Sequence, residues 1–233
     1  MCRNSIFTKR WVKGSAVLVA TAATLVFANP QQAIATPLKG VDSATVSQSA
    51  SNVVDIDFAD GIKGRITFLE DGIFRYNVDP KGEFSEYATP RSKSHTAKIQ
   101  AQPDTSDTYS KPSATVADKG DTIEITGGKA TVILDKATGK MSIKSGDRGV
   151  VSESAPLDLD KKGTIQTLAK EKSENFFGGG TQNGRFLHTN QTIAISNTNN
   201  WTDGGVASPN PFYWTSDGYG VLRNTFAEGS YDF

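Results

Sequence analysis

The stretch GRITFLEDGIFRYNV, residues 64–78, decides the fold. Ile66 and Phe68 alternate with Arg65 and Thr67, Glu70-Asp71-Gly72 interrupts, and Phe74, Tyr76 and Val78 alternate again with Arg75 and Asn77. Successive side chains of a β-strand point to opposite faces, so each run reads as a half-buried strand. Two such runs joined by a glycine-containing turn predict a β-hairpin. Just upstream, VVDIDF (53–58) sets Val54, Ile56 and Phe58 against Asp55 and Asp57. Just downstream, Asp79-Pro80-Lys81-Gly82 supplies the residues that end a strand in a turn.

The same pattern returns in DTIEITGGKATVILD (121–135), where Ile123 and Ile125, then Val132 and Leu134, alternate across an expected Gly127-Gly128 turn. Asp135 to Gly139 forms a further turn before MSIKS (141–145). Between residues 53 and 170 nothing keeps a 3.6-residue spacing for more than a turn or two; QTLAKEKSEN (166–175) is the best helical candidate, and it is short. The expectation is an all-β, antiparallel β-sandwich over residues 53–233. TPLKGVDSATVSQSASN (36–52) reads as a flexible lead-in, and the proline-bearing polar run 88–120 as a long surface excursion.

The N-terminus has three zones. Arg3, Lys9, Arg10 and Lys13 come first, an apolar run from Ala16 to Ala28 follows, and Ala33-Ile34-Ala35 offers a small-x-small site. That order predicts a secretory signal peptide over residues 1–35, cleaved after Ala35, because the apolar run is shorter than the roughly 20 residues a membrane span needs. The whole chain carries 25 basic and 25 acidic residues. Loss of the four basic leader residues would leave 21 against 25, a balance that argues against a nucleic-acid partner. With the leader cleaved, no membrane partner is expected, and the protein is expected to be secreted or cell-surface associated.

Cys2 is the only cysteine and leaves with the leader, so neither a disulfide nor a thiolate site is expected. The two histidines, His95 and His188, form no metal-binding spacing, and no metal or cofactor is expected. DIDFADG misses the ligand spacing of a calcium loop, GGGTQNG is followed by no lysine-bearing phosphate motif, and no GxSxG elbow occurs. Asn190-Gln-Thr192 and Asn200-Trp-Thr202 fit the glycosylation sequon, which matters only in a host that uses it.

Chemistry concentrates after Phe176. Trp201 and Trp214 lie there with a run of carboxamides: Gln182, Asn183, Asn190, Gln191, Asn197, Asn199 and Asn200. A sugar offers a C–H face that packs on an aromatic ring and hydroxyls that pair with amides and carboxylates. The alternative is a sandwich edge in which the aromatics are core and the Asn and Gly residues are turns.

The order of these residues resembles a known family. FFGGGTQNGRF (176–186) and ISNTNNWTDGGVASPNPFYWTSDGYGVLRNT (195–225) resemble the end of the N-terminal β-sandwich of glycoside hydrolase family 31. The matching elements are Phe177-Gly178-Gly179-Gly180, Asn197 to Asn199, Pro211-Phe212-Tyr213, Gly218-Tyr219-Gly220 and Asn224-Thr225. GGGTQNG with NNWTDGG is similar to the bacterial subgroups of cycloalternan-forming enzymes and α-N-acetylgalactosaminidases.

The resemblance implies a galactose-mutarotase-like supersandwich, followed in the family by a (β/α)₈ barrel that holds a retaining carboxylate pair. No run of βα units occurs here, so no catalytic residue is assigned, and the chain alone is expected to be inactive. Its implied role is the N-terminal domain, as a fragment, of a secreted enzyme acting on α-linked oligosaccharides, with the barrel as its C-terminal partner. A loop of the sandwich reaches the sugar in the family, usually with Asp; the matching residue here is Asn199, with Trp201 and Asp203 as further substrate contacts. The glycines would either let backbone pass close under the sugar, with Gln182, Asn183 and Arg185 bracing the loop, or serve packing against the next domain. Two readings of other classes remain: a free-standing secreted carbohydrate-binding sandwich, and a structural or cell-wall-associated sandwich without a ligand.

Overall fold

The computed structural model describes residues 36–84, 109–160, 163–225 and 227–233. The leader (1–35), His95 and residues 88–108 of the expected excursion lie outside them. The described residues of the unit from Ala35 to Phe233 form strands and no helix. The first five strands are β1 (Thr36–Pro37), β2 (Val41–Ala50), β3 (Val53–Phe58), β4 (Lys63–Glu70) and β5 (Ile73–Asp79). Next come β6 (Ala114–Asp118), β7 (Thr122–Gly127), β8 (Ala130–Asp135), β9 (Met141–Ser145), β10 (Arg148–Ser152), β11 (Asp158–Asp160) and β12 (Gly163–Ile165). The C-terminal region supplies β13 (Phe176–Gln182), β14 (Thr192–Ile195), β15 (Val206–Thr215), β16 (Gly220–Leu222) and β17 (Gly229–Asp232).

Two antiparallel sheets face each other, one in the order β2-β3-β4-β5 and one in the order β10-β9-β8-β7-β6. The alternation seen in the sequence sets the inner faces. Val54, Ile56, Phe58, Ile66 and Phe68 from the first sheet meet Ile123, Ile125, Val132, Leu134 and Met141 from the second, all buried in one core. The β4–β5 hairpin turns at Asp71-Gly72, as its sequence requires. The β7–β8 turn sits one residue later than expected, at Gly128-Lys129, because Gly127 stays in strand and pairs with Ala130.

Three further stretches differ from the sequence reading. Residues 41–50 of the expected lead-in form β2, which pairs along β3 through Val46↔Ile56 and Gln48↔Val54. The end of the expected excursion forms β6, paired with β7 from Ala114↔Gly127 to Asp118↔Ile123. Residues 166–169 are extended rather than helical, because their backbone continues the pairing past β10: Ala169 N–H donates to Ser152 O at 2.8 Å and Ser154 N–H to Thr167 O at 2.9 Å.

The region after Phe176 adds a sheet in the order β13-β15-β16 and a pair β14-β17. Its own core is aromatic: the Phe233 ring stacks on Phe176 at 4.6 Å and meets Tyr213 and Tyr231 at 5.1 and 5.7 Å. His188, 1% exposed, stacks on the same ring and has Nε2 3.0 Å from Gly178 O. Arg148 in β10 donates from Nη1 to Asp217 O at 3.0 Å, which ties the region to the first sandwich.

Candidate functional site

The glycine triplet fixes where the site lies. Gly178, Gly179 and Gly180 all have positive φ, at 113°, 73° and 77°. That conformation disfavours any residue with a Cβ. The space forbids one as well. A Cβ on Gly178 would lie 2.6 Å from Phe212 O, one on Gly180 2.5 Å from Asn210 N, and one on Gly179 would overlap the Ile193 side chain. The pairing of β13 with β15 shifts register here, from Gly178↔Tyr213 to Gly180↔Pro209. The triplet is therefore a bulge pressed against β15 backbone. Within it Gly179 is buried, Gly178 half-buried and Gly180 exposed.

Gln182 belongs to the same packing. Its buried Nε2 donates to Gly179 O and Ala194 O, both at 3.0 Å. The Arg185 guanidinium lies beside Gly204 of the neighbouring loop, residues 196–205 between β14 and β15, and Asn183 braces that loop. Its N–H donates to Gly205 O at 3.0 Å, its carbonyl accepts from Gly204 N–H at 2.9 Å, and its Nδ2 donates to Asn200 O at 2.8 Å. Arg185 N–H closes the turn onto Gln182 O at 3.0 Å.

All three residues expected at the sugar stand on that one loop and are exposed. Asn199 adopts φ 50°, a left-handed conformation that asparagine tolerates better than most residues. Its N–H donates to Asn197 Oδ1 at 2.9 Å, and its own Oδ1 accepts the Trp201 indole N–H at 3.0 Å. The indole is 69% exposed, so its ring presents a π-face to solvent while its N–H is already satisfied. Asn200 Oδ1 accepts from Thr202 N–H at 3.0 Å and Thr202 Oγ1 at 2.7 Å, and Thr198 Oγ1 donates to Val206 O at 2.9 Å. Asp203 sits across the loop from this pair, its carboxylate beside Gly184. Asn199 and Trp201 thus form one unit; Asp203 does not join it.

A second feature was not read from the sequence. The outer face of the β13-β15-β16 sheet carries Phe177, Phe212, Trp214 and Leu222, with Phe186 (74% exposed) packed on Phe177 at 5.3 Å. Phe177 stacks on Trp214 at 5.9 Å, and Trp214 on Phe212 at 6.1 Å. PFYW (211–214) therefore splits: Tyr213 points to the core while Phe212 and Trp214 point out. The alternation was legible; that the outer side would hold aromatics too was the missed signal.

Among the described residues no group of His, Cys, Asp and Glu could hold a metal ion, and no helix is long and apolar enough to cross a membrane. Asp232, the last acid of the chain, has its Oδ1 occupied by the Thr192 hydroxyl at 2.7 Å.

An antiparallel sandwich with a glycine bulge and a projecting loop of aromatic and carboxamide groups is the class these features define. The sequence model for the glycosyl hydrolase 31 N-terminal galactose mutarotase-like domain matches residues 63–232, and the chain belongs to that family. No curated protein matches the sequence. Solved structures share the fold. A dextranase from Flavobacterium johnsoniae, complexed with isomaltotriose, superposes with a TM-score of 0.67 at 15% identity over 85% of this chain and 24% of its own. The cycloalternan-forming enzyme of Listeria monocytogenes, in complex with a pentasaccharide substrate, gives 0.66 at 15% identity over 83% of this chain and 18% of its own. An α-xylosidase from Xanthomonas citri gives 0.57 at 22% identity over 78% and 19%. The chain thus spans about a quarter or less of each of these three solved structures.

Proposed function

We propose that the chain is the accessory β-sandwich of an exported family 31 enzyme acting on α-linked glycosides, and that its 196–205 loop meets the sugar. The exposed Trp201 ring carries this reading. An indole with its N–H satisfied and its face in water recovers hydrophobic free energy when a pyranose C–H face covers it. Asn199 and Asp203 stand on the same loop to meet the hydroxyl rim. Two of the matched structures hold oligosaccharides, which agrees with the class of ligand.

The chemistry belongs to a catalytic barrel expected C-terminal to this sandwich, where one carboxylate would attack the anomeric carbon and a carboxylic acid would protonate the leaving oxygen. The open aromatic face of β13-β15-β16 supports a role in seating such a domain, since large exposed apolar patches mark interaction surfaces. Export by residues 1–35, with cleavage after Ala35, is part of the same proposal.

Titrating isomaltotriose into the 233-residue chain and into W201A, followed by calorimetry, tests the loop's role. Binding to the wild type that W201A abolishes is the expected result; equal binding by both would overturn it. The alternative, a free-standing carbohydrate-binding sandwich, predicts a monomer at all concentrations. The seating role predicts concentration-dependent association that L222S relieves.

A further inference from the structure

Trp201 projects from its loop with little packed on it. Its ring is 69% exposed, and the ring contacts of the region involve Trp214 and the phenylalanines, with none to Trp201 among the described residues. A side chain so placed samples several rotamers unless something other than packing holds it. One bond does: the indole N–H, which can only donate, meets Asn199 Oδ1 at 3.0 Å. The carboxamides around it fix the backbone on both sides of the ring. Asn197 Oδ1 accepts the Asn199 N–H at 2.9 Å, and Asn200 Oδ1 accepts from Thr202 N–H and Oγ1 at 3.0 and 2.7 Å. Asn200 O in turn accepts from Asn183 Nδ2 at 2.8 Å.

We infer that Asn199 is a positioning residue: it sets the Trp201 ring in the pose that receives the sugar, and its main effect on binding passes through that ring. The inference rests on the sugar-contact reading above and gives Asn199 a task beyond the hydroxyl rim. Its second lone pair and its Nδ2 stay open to a hydroxyl, but the acceptor turned to the indole is supplied by no other residue among those described. A ring held in one rotamer before binding loses less conformational entropy when the sugar covers it. The backbone at Asn199, with φ 50°, decides which variants separate the two tasks. An aspartate keeps the acceptor and tolerates the same left-handed conformation. A glycine keeps the conformation and removes the acceptor.

Isomaltotriose is titrated by calorimetry into the 233-residue wild-type chain, N199G, N199D, W201A, W201F and W201F/N199G. The Trp201 indole N–H is followed in ¹H–¹⁵N spectra of the chains that keep it. N199G is expected to weaken binding by about two- to tenfold, the net worth of one hydrogen bond, with an unchanged melting temperature and faster exchange of the indole proton with water. N199D is expected to restore both the affinity and the slow exchange. In the W201F background, where no indole N–H exists, N199G is expected to change nothing. A loss in N199D equal to that in N199G, or the same cost of N199G in W201F, would show that the carboxamide itself touches the sugar and would overturn the inference while the sugar contact stands. Undiminished affinity in N199G would overturn it as well. Absence of any binding, or binding indifferent to W201A, would remove the sugar contact itself and this inference with it.

Discussion

Replacing Gly180 by alanine isolates what the glycine triplet does. Gly180 has φ 77°, and a Cβ there would sit 2.5 Å from Asn210 N and 2.8 Å from Pro209 C. The left-handed conformation alone costs an alanine about 1–2 kcal/mol. The overlap adds to this, because the atoms met are backbone of the paired strand and cannot rotate away; forcing atoms into a packed site costs about 1–3 kcal/mol. Gly218 is the control. It has φ 83° in the same region, but the atom nearest its would-be Cβ is Arg148 Nη2 at 3.8 Å, an ordinary contact. G218A should therefore pay the conformational cost only. The difference between the two variants, about 1–3 kcal/mol, corresponds to roughly 2–12 °C in melting temperature for a domain of this size. Calorimetry of both variants measures it. If G180A melts no lower than G218A, the close approach to β15 is not what the triplet is for.

Burial pushes the Glu153 carboxyl up from its ordinary value, against the hydrogen bonds it accepts from Gln166 Nε2 and Met141 N–H. A raised folded value means that this group's stabilising contribution is full below about pH 4.5 and is lost as pH rises through the folded value. E153Q should remove that slope from urea midpoints measured between pH 4.5 and 7, at little cost, because the Gln166 amide can turn to accept from the new NH₂. E153L should instead cost about 1–3 kcal/mol at every pH by orphaning the Met141 N–H. At the loop, N183A removes the bond to Asn200 O and should cost about 0.5–1.5 kcal/mol locally. In a W11F/W214F background, which leaves Trp201 as the single indole, it should raise acrylamide quenching while the melting temperature moves by only a few degrees.

The central hairpins were legible because their burial is written locally. Val54, Ile56 and Phe58 alternate with aspartates, and the structure buries that alternation. β2 and β6 were not legible for the opposite reason. They close the edges of their sheets, most of their side chains are exposed, and VDSATVSQSA shows no apolar period to read. What makes it a strand is pairing with β3, which no local pattern encodes. QTLAKEKSEN failed as a helix on the same ground: backbone partners at Ser152 and Ser154 outweigh a weak local preference. At the loop, the residue types pointed to an aromatic beside carboxamides. The direction in which each carboxamide faces depends on the left-handed turn at Asn199 and the indole folded back on it, which only the three-dimensional arrangement supplies.

The most direct test of the account is a ¹H–¹⁵N spectrum of the 233-residue chain, with the indole resonances assigned by W201F and W214F and followed during an isomaltotriose titration. Trp201 should shift progressively and saturate, while Trp214, on the outer sheet face, stays within error of its starting position. A spectrum in which Trp201 stays fixed at saturating sugar, or in which Trp214 moves instead, would contradict the claim that the 196–205 loop meets the glycan.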